Sequence, residues 1–240
     1  MNNVETLSSV PYILAMGADA YKEIGTERST GTRVFSLSGN VKRPGNYELP
    51  LTASLRDLVE GCGGGATDGR TIKGIIPGGS SSAILMPDQL DTKLDFEAIA
   101  AAGSMAGSGA VMVLDDRCCM VQLSLRVAEF YKHESCGKCT PCREGTRWAV
   151  EIIRKLEMGE ARQGELDLLL NVCDRILGKC LCPLGDSLAM PVVSYVTHFR
   201  EEFQQHIDEG GCPFHGQSSL DGVLAPIQMH AHGAPAEVPA

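Results

Sequence analysis

Glu134-Ser135-Cys136-Gly137-Lys138-Cys139-Thr140-Pro141-Cys142-Arg143-Glu144-Gly145-Thr146 is the stretch on which the reading of this chain turns. Three cysteines at Cys-x2-Cys-x2-Cys spacing wrap one loop around three corners of an iron–sulfur cubane, which then needs a fourth thiolate from elsewhere. Cys182 is the better candidate, because Pro183 follows it and Cys-Pro is a frequent ending for such a ligand set; Cys180 lacks the proline. A proline there has no N–H and keeps a helix from starting on the ligand. The flanks suit an anionic group. Thr140 can cap a helix whose first residue is Pro141. Cys142 then falls in the first turn, where free N–H groups and the positive end of the dipole face negative charge. Lys138 and Arg143 add positive charge, and Gly137 lets the loop bend closely. Structural zinc favours two separated Cys-x2-Cys pairs or mixed cysteine and histidine, so a compact triplet with one distant cysteine points to iron. Cys62, Cys118, Cys119, Cys173 and Cys212 are expected to have ordinary packing or surface roles, and His133 a capping or surface role at a helix end.

Working outward, the motif sits inside an all-helical block. Helical spacing of apolar residues predicts helices over Val121–His133, Pro141–Met158, Glu165–Leu177 and Pro191–Ile207, which short connections should gather into a four-helix bundle. His198 and His206 are read as part of a solvated face beside Arg200, Glu201 and Glu202. The block before it, 32–116, alternates at period two in Arg33–Gly39 and Asn46–Leu49. Arg43-Pro44-Gly45 between them suits a type II turn. A helix over Ser54–Glu60, with Ser54 as N-cap and Gly61 as stop, is followed by strands at Thr71–Ile76, Ala83–Leu85 and Ala110–Leu114. The expected class is α+β: a small β-grasp (ubiquitin-like) domain, then a four-helix bundle over 117–209 that carries the cluster. Residues 1–31 read as an amphipathic helix and linker whose cover is absent, and 210–240 as a disordered tail.

Composition narrows the function. A net charge of -9 with no basic block gives nucleic-acid binding no support. No apolar run is long enough to span a membrane, and the N-terminus lacks the basic and apolar parts of a secretory signal. Ten cysteines without an export signal read as metal ligands, catalytic groups or buried thiols rather than a disulfide framework. Gly61-Cys62-Gly63-Gly64-Gly65-Ala66 fits G-x-G-x-x-A formally, but it follows a predicted helix and opens none, so it reads as a turn. Pro77–Ser82 lacks the lysine of a phosphate-binding loop and reads as a tight connection. Adjacent carboxylates at Asp115-Asp116 and Glu201-Glu202 do not converge on one point.

The cluster motif resembles that of the NADH-binding flavoprotein subunit of respiratory complex I, which diaphorase subunits of NAD-reducing hydrogenases and NAD-dependent formate dehydrogenases share. Leu181-Cys182-Pro183-Leu184-Gly185-Asp186 looks like the family's fourth-ligand segment. Ser38–Gly45 and Ile76–Ser81 look like its soluble-ligand-binding β-grasp (SLBB-type) domain, and Asn2-Asn3-Val4-Glu5-Thr6 like its last flavin-contacting segment. The resemblance implies a [4Fe–4S] cluster on Cys136, Cys139, Cys142 and Cys182, one edge of an FMN site at Asn2, Asn3 and Thr6, and NADH as the substrate of the intact subunit. It implies electron passage to a thioredoxin-like [2Fe–2S] subunit and a large Fe–S subunit. It also implies a place on the cytoplasmic face of the inner membrane through the complex, without direct insertion. The family's glycine-rich FMN and NADH segment does not occur in the chain, which therefore resembles the C-terminal half of such a subunit and is expected to be inactive toward NADH alone. A non-redox interaction module with a structural metal is the reading from another class.

Overall fold

The computed structural model describes residues 1–221. The chain opens with α1 (Val4–Met16) and α2 (Ala18–Lys22). Asn3 caps α1 by accepting a hydrogen bond from the Glu5 amide, yet the helix buries no residue, and Val4 and Leu14 are 78% and 80% exposed. Its tie to the rest includes the Val34 amide, which donates to Glu5 Oε1 at 2.7 Å. The following linker is anchored by Ser29, buried and donating to Glu97.

Strands β1 (Thr32–Gly39), β2 (Gly45–Pro50), β3 (Ile72–Ile76) and β4 (Ala110–Asp115) form one sheet in the order β2-β1-β4-β3. β1 runs antiparallel to β2 and parallel to β4, and β3 runs antiparallel to β4. Alternation decides the faces. Phe35, Leu37, Val111, Val113 and Ile75 point toward a core completed by Leu55, Leu58, Val59, Leu94 and Ile99. Ile76 and Leu114 point the other way, into the core of the helical block. The short α3 (Phe96–Ala101) is capped by Asp95, which accepts from the Ala98 amide at 2.6 Å.

Three expectations for this block change. Gly45 begins β2 without a positive φ, so there is no type II turn there; the chain leaves β1 at Gly39 instead, with φ at +85° and Val41 bridged to Ala66. The Ser54 hydroxyl does accept from the Asp57 amide, but the helical run passes Gly61 as a π-helical turn over Asp57–Cys62. Ala83–Leu85 is no strand. Leu85 makes one reciprocal bridge with Ile75, and Pro87, which has no N–H, ends the pairing.

The helices are α4 (Met120–Glu134), α5 (Thr140–Met158), α6 (Glu165–Ile176), α7 (Leu184–His198) and α8 (Arg200–Asp208). α5 touches α4 and α6, and α7 closes the ring by touching the same two, with α8 against α4, α5 and α7. α5 buries Ala149, Val150, Ile153 and Leu156 at helical spacing and stops at Gly159, left-handed at φ +73°. The expected helix Pro191–Ile207 is replaced by two: Pro191 lies inside α7, and the break falls at Phe199. The segment 210–221, expected to be part of a loose tail, packs back on the start of α4: the Ser218 hydroxyl is buried and accepts from the Cys119 amide at 3.2 Å. Residues 222–240 lie outside the described residues. Among the described residues no helix is long and apolar enough to cross a membrane.

Candidate metal centre

The cysteine loop joins α4 to α5. Ser135 leaves α4 in extended conformation, and its hydroxyl accepts from the Gly137 amide at 3.3 Å. Gly137 takes φ +73°, which an L side chain rarely adopts. Arg143 closes the loop from the other side, donating through Nη1 to the Gly137 carbonyl at 2.9 Å and through Nε to Glu144 at 3.0 Å. Cys139, not Thr140, is the N-cap residue of α5. Its backbone is extended, and its carbonyl accepts from the Arg143 amide at 3.0 Å. Cys142 therefore stands in the first turn of a nineteen-residue helix, where the dipole favours negative charge.

Two further cysteines come from the turn between α6 and α7. Pro183 is the N-cap of α7, so the helix starts one residue beyond Cys182-Pro183. Cys182 is exposed. Cys180 is more enclosed: its Sγ is 3.6 Å from the Ile176 carbonyl, and Gly185 packs so closely that an added Cβ would lie 2.5 Å from that sulfur.

Electrostatics tie the two segments together. The backbone amide of Leu181 is the main influence holding the Cys139 thiol below the ordinary range, with the Cys142 amide adding to it. Burial pushes the Cys142 thiol up; the Ser135 hydroxyl, 3.2 Å from its sulfur, opposes this, while Cys139, Cys182 and Cys136 push in the same direction as burial. Burial also pushes Cys180 up to about 12, and Cys139 adds to it. Five sulfurs thus gather at the positive end of α5.

The size of the gathering bears on its occupant. A tetrahedral zinc ion draws its ligands to within about 4 Å of one another. Among the described residues the one group of three or more ligating residues whose atoms lie within 4.8 Å of one another is elsewhere, at Cys119, Glu157, His206 and Cys212. The loop and the 180–182 turn together offer more cysteines than a single ion needs, and three of them at Cys-x2-Cys-x2-Cys spacing. Amides, a helix start and two cations beside this cysteine set fit an iron–sulfur cubane.

Of the other residues in the sequence reading, one departs and several agree. His206 is fully buried rather than on a solvated face, with Cys119 and Cys212 grouped around it. Asp115 is fully buried and paired with Arg117, while Asp116 points away toward Arg70, so the adjacent carboxylates diverge. Gly64 and Gly65 take positive φ in a turn, and Gly79 does so in the connection after β3. Asn3 is engaged in capping α1, and Asn2 and Thr6 are exposed.

The cysteine loop lies in a stretch that is similar to known proteins. Residues 122–206 match the NADH-ubiquinone oxidoreductase-F iron-sulfur binding region, and residues 34–84 match the SLBB domain. The second of the NADH-quinone oxidoreductase F subunits of Rhizobium meliloti (strain 1021) is 49% identical over 215 residues, covering 90% of this chain and 51% of that protein. The NADH-quinone oxidoreductase F subunit of Mycobacterium bovis is 48% identical over 220 residues, covering 92% and 49%. The chain spans about half the length of the curated relatives it matches. Among solved structures, an NAD+-reducing [NiFe]-hydrogenase in the air-oxidized state superposes with a TM-score of 0.77 at 34% identity, covering 86% of this chain and 35% of that one.

Proposed function

This chain is a relative of the NADH-quinone oxidoreductase F subunits along about half of their length, and on that premise we propose that it passes single electrons through a [4Fe–4S] cluster as part of an NADH dehydrogenase. The observation that carries the reading is the convergence of the 136–142 loop and the Cys182 turn at the N-terminus of α5. Cys136, Cys139, Cys142 and Cys182 are the ligands in this reading, with Cys180 as a neighbour. A bound cluster supplies one-electron redox chemistry. The protein's own part is electrostatic. Amides of the loop and of the first turn of α5, with Lys138 and Arg143, stabilise negative charge at the thiolates, while Gly137 lets the backbone approach.

The same reading places NADH and FMN upstream, with Asn2, Asn3 and Thr6 at one edge of the flavin site. A thioredoxin-like [2Fe–2S] subunit and a large Fe–S subunit are the partners, and the whole lies peripherally on the cytoplasmic face of the inner membrane. The parts of the chain are a β-grasp domain over 32–116 and a four-helix bundle over 117–209, with α8 laid across it. The likeness to the hydrogenase favours a second version, the same module in a soluble NAD-reducing complex.

The test is anaerobic purification of the full chain. About four irons with matching sulfide per chain, and an EPR signal on dithionite reduction, are expected. Colourless protein with zinc at the 136–142 loop would instead make the metal a structural staple and end the redox reading.

A further inference from the structure

At the far end of α5 from the cysteine loop, Glu157 meets three side chains that electron transfer does not use. Cys119 caps α4, His206 lies on α8, and Cys212 follows α8 in the segment that packs back. Cys119 Sγ is 3.4 Å from His206 Nε2 and 3.7 Å from Cys212 Sγ, and Nε2 is 3.5 Å from Glu157 Oε2. A tetrahedral zinc ion with ordinary bond lengths to sulfur, nitrogen and oxygen sets the corresponding edges at about 3.8 Å for S–S, 3.6 Å for S–N and 3.4 Å for N–O. The side chains already stand near the corners of such a tetrahedron.

The surroundings aim them inward. His206 Nδ1 is 2.8 Å from the Glu202 carbonyl, which can only accept. Nδ1 therefore carries the proton, and Nε2 turns its lone pair toward the other three groups. Glu157 Oε1 accepts from Gln122 Nε2 at 2.9 Å, while Oε2 is buried with no hydrogen-bond donor. A buried carboxylate oxygen without a partner is costly, and a cation between it and the thiols supplies one. Cys119 and His206 are fully buried. The sulfurs are far beyond the ~2.05 Å of a disulfide.

We propose that Cys119, Glu157, His206 and Cys212 bind one divalent cation of the zinc class in a closed tetrahedral site. Four protein ligands leave no open position, so the role is structural. The site is separate from the cysteine loop: from Cys142 to Glu157, α5 rises roughly 22 Å at about 1.5 Å per residue. It pins the start of α4, the end of α5, α8 and the returning segment at one corner.

The test uses the full chain, purified anaerobically without chelator or added zinc, with metals counted by mass spectrometry. About one zinc per chain is expected beside the iron, and it should persist in Cys136→Ser/Cys142→Ser, which removes the iron. His206→Ala should lose it. Because that variant can fail to fold, zinc-edge X-ray absorption on the unaltered chain decides the ligands. Two sulfurs at about 2.3 Å and two nitrogen or oxygen atoms at about 2.0–2.1 Å are expected. Zinc below a tenth of an equivalent, an all-sulfur zinc shell, iron in place of zinc in the double serine variant, or a Cys119–Cys212 disulfide would each overturn the site.

Discussion

Cys180 and Cys182 are separated by one residue, yet their surroundings give them different uses. The Cys180 sulfur is directed at the Ile176 carbonyl, wedged against Gly185, and pushed up to about 12 by burial. Cys182 is exposed, at the mouth of the turn that faces the 136–142 loop. Cys182→Ala is therefore expected to abolish iron binding, and Cys180→Ala to leave it largely intact. Iron content and the reduced-state EPR signal of both variants check this; equal loss, or loss at Cys180 alone, would reverse the assignment. The triplet is legible in sequence because its ligands lie within seven residues and their spacing alone implies a shared centre. The group at Cys119, Glu157, His206 and Cys212 is not. Its members come from four segments whose meeting depends on how α8 docks, and no local pattern encodes that docking. The faint trace is His206 followed six residues later by Cys212, which the charged neighbours at 200–202 conceal.

Helix spans are readable wherever an apolar stripe meets clear end signals. α4, α5 and α6 lie within a residue of their expected limits, because Gly159 and Glu165 punctuate them. α7 departs from its expected start because a proline reads as the opening of a helix. Here the turns before Pro191 bury Leu188 and Ala189 in the core, and that packing outweighs the ~3 kcal/mol cost of an interior proline. Small residues set how closely these helices approach. Gly145, inside α5, leaves no room for a side chain: an added Cβ would lie 2.6 Å from Ile176 Cγ1 and 2.8 Å from its Cδ1. Gly145→Val should force α6 away and cost about 1–3 kcal/mol by overpacking. It would be seen as a lower denaturation midpoint with unchanged slope, and because Cys142 is one turn earlier, as slower cluster assembly. An unchanged midpoint would mean that α6 can yield at this contact without loss.

One face of the sheet adds Ile76 and Leu114 to the helical core, and the polar hinge at that junction is Lys73. This β3 side chain donates to the Glu202 carboxylate on α8 and to the Cys118 carbonyl, and it lies 5.4 Å from the Phe199 ring and 5.2 Å from that of Phe214. Glu202 Oε1 also accepts from the Met120 amide at 2.7 Å. Both charged side chains are largely buried, at 14% and 15% exposure. Lys73→Ala strands the carboxylate and should cost about 3–5 kcal/mol, whereas Lys73→Met with Glu202→Gln should recover much of it; guanidinium unfolding of the three proteins checks both. Catalysis poses a different question at this scale. Hydride transfer from NADH needs a flavin held against the nicotinamide, and a dinucleotide is held by a strand, a glycine-rich turn and a helix N-terminus in succession. Among the described residues that succession does not occur. β3 runs through its glycines into a connection without a helix, and β4 reaches α4 through Asp116-Arg117-Cys118-Cys119, which holds no glycine. The exposed face of α1, beside Asn2, Asn3 and Thr6, supplies no such succession either. The purified chain with added FMN is therefore expected to show no NADH–ferricyanide reductase activity. Adding the half of the Rhizobium meliloti relative that this chain does not match should restore FMN binding and turnover together, and should shield Val4 and Leu14 from solvent labelling. Substantial turnover by the chain alone would mean that a nucleotide site has formed without a glycine turn at a helix start, and would move the flavin chemistry onto these residues.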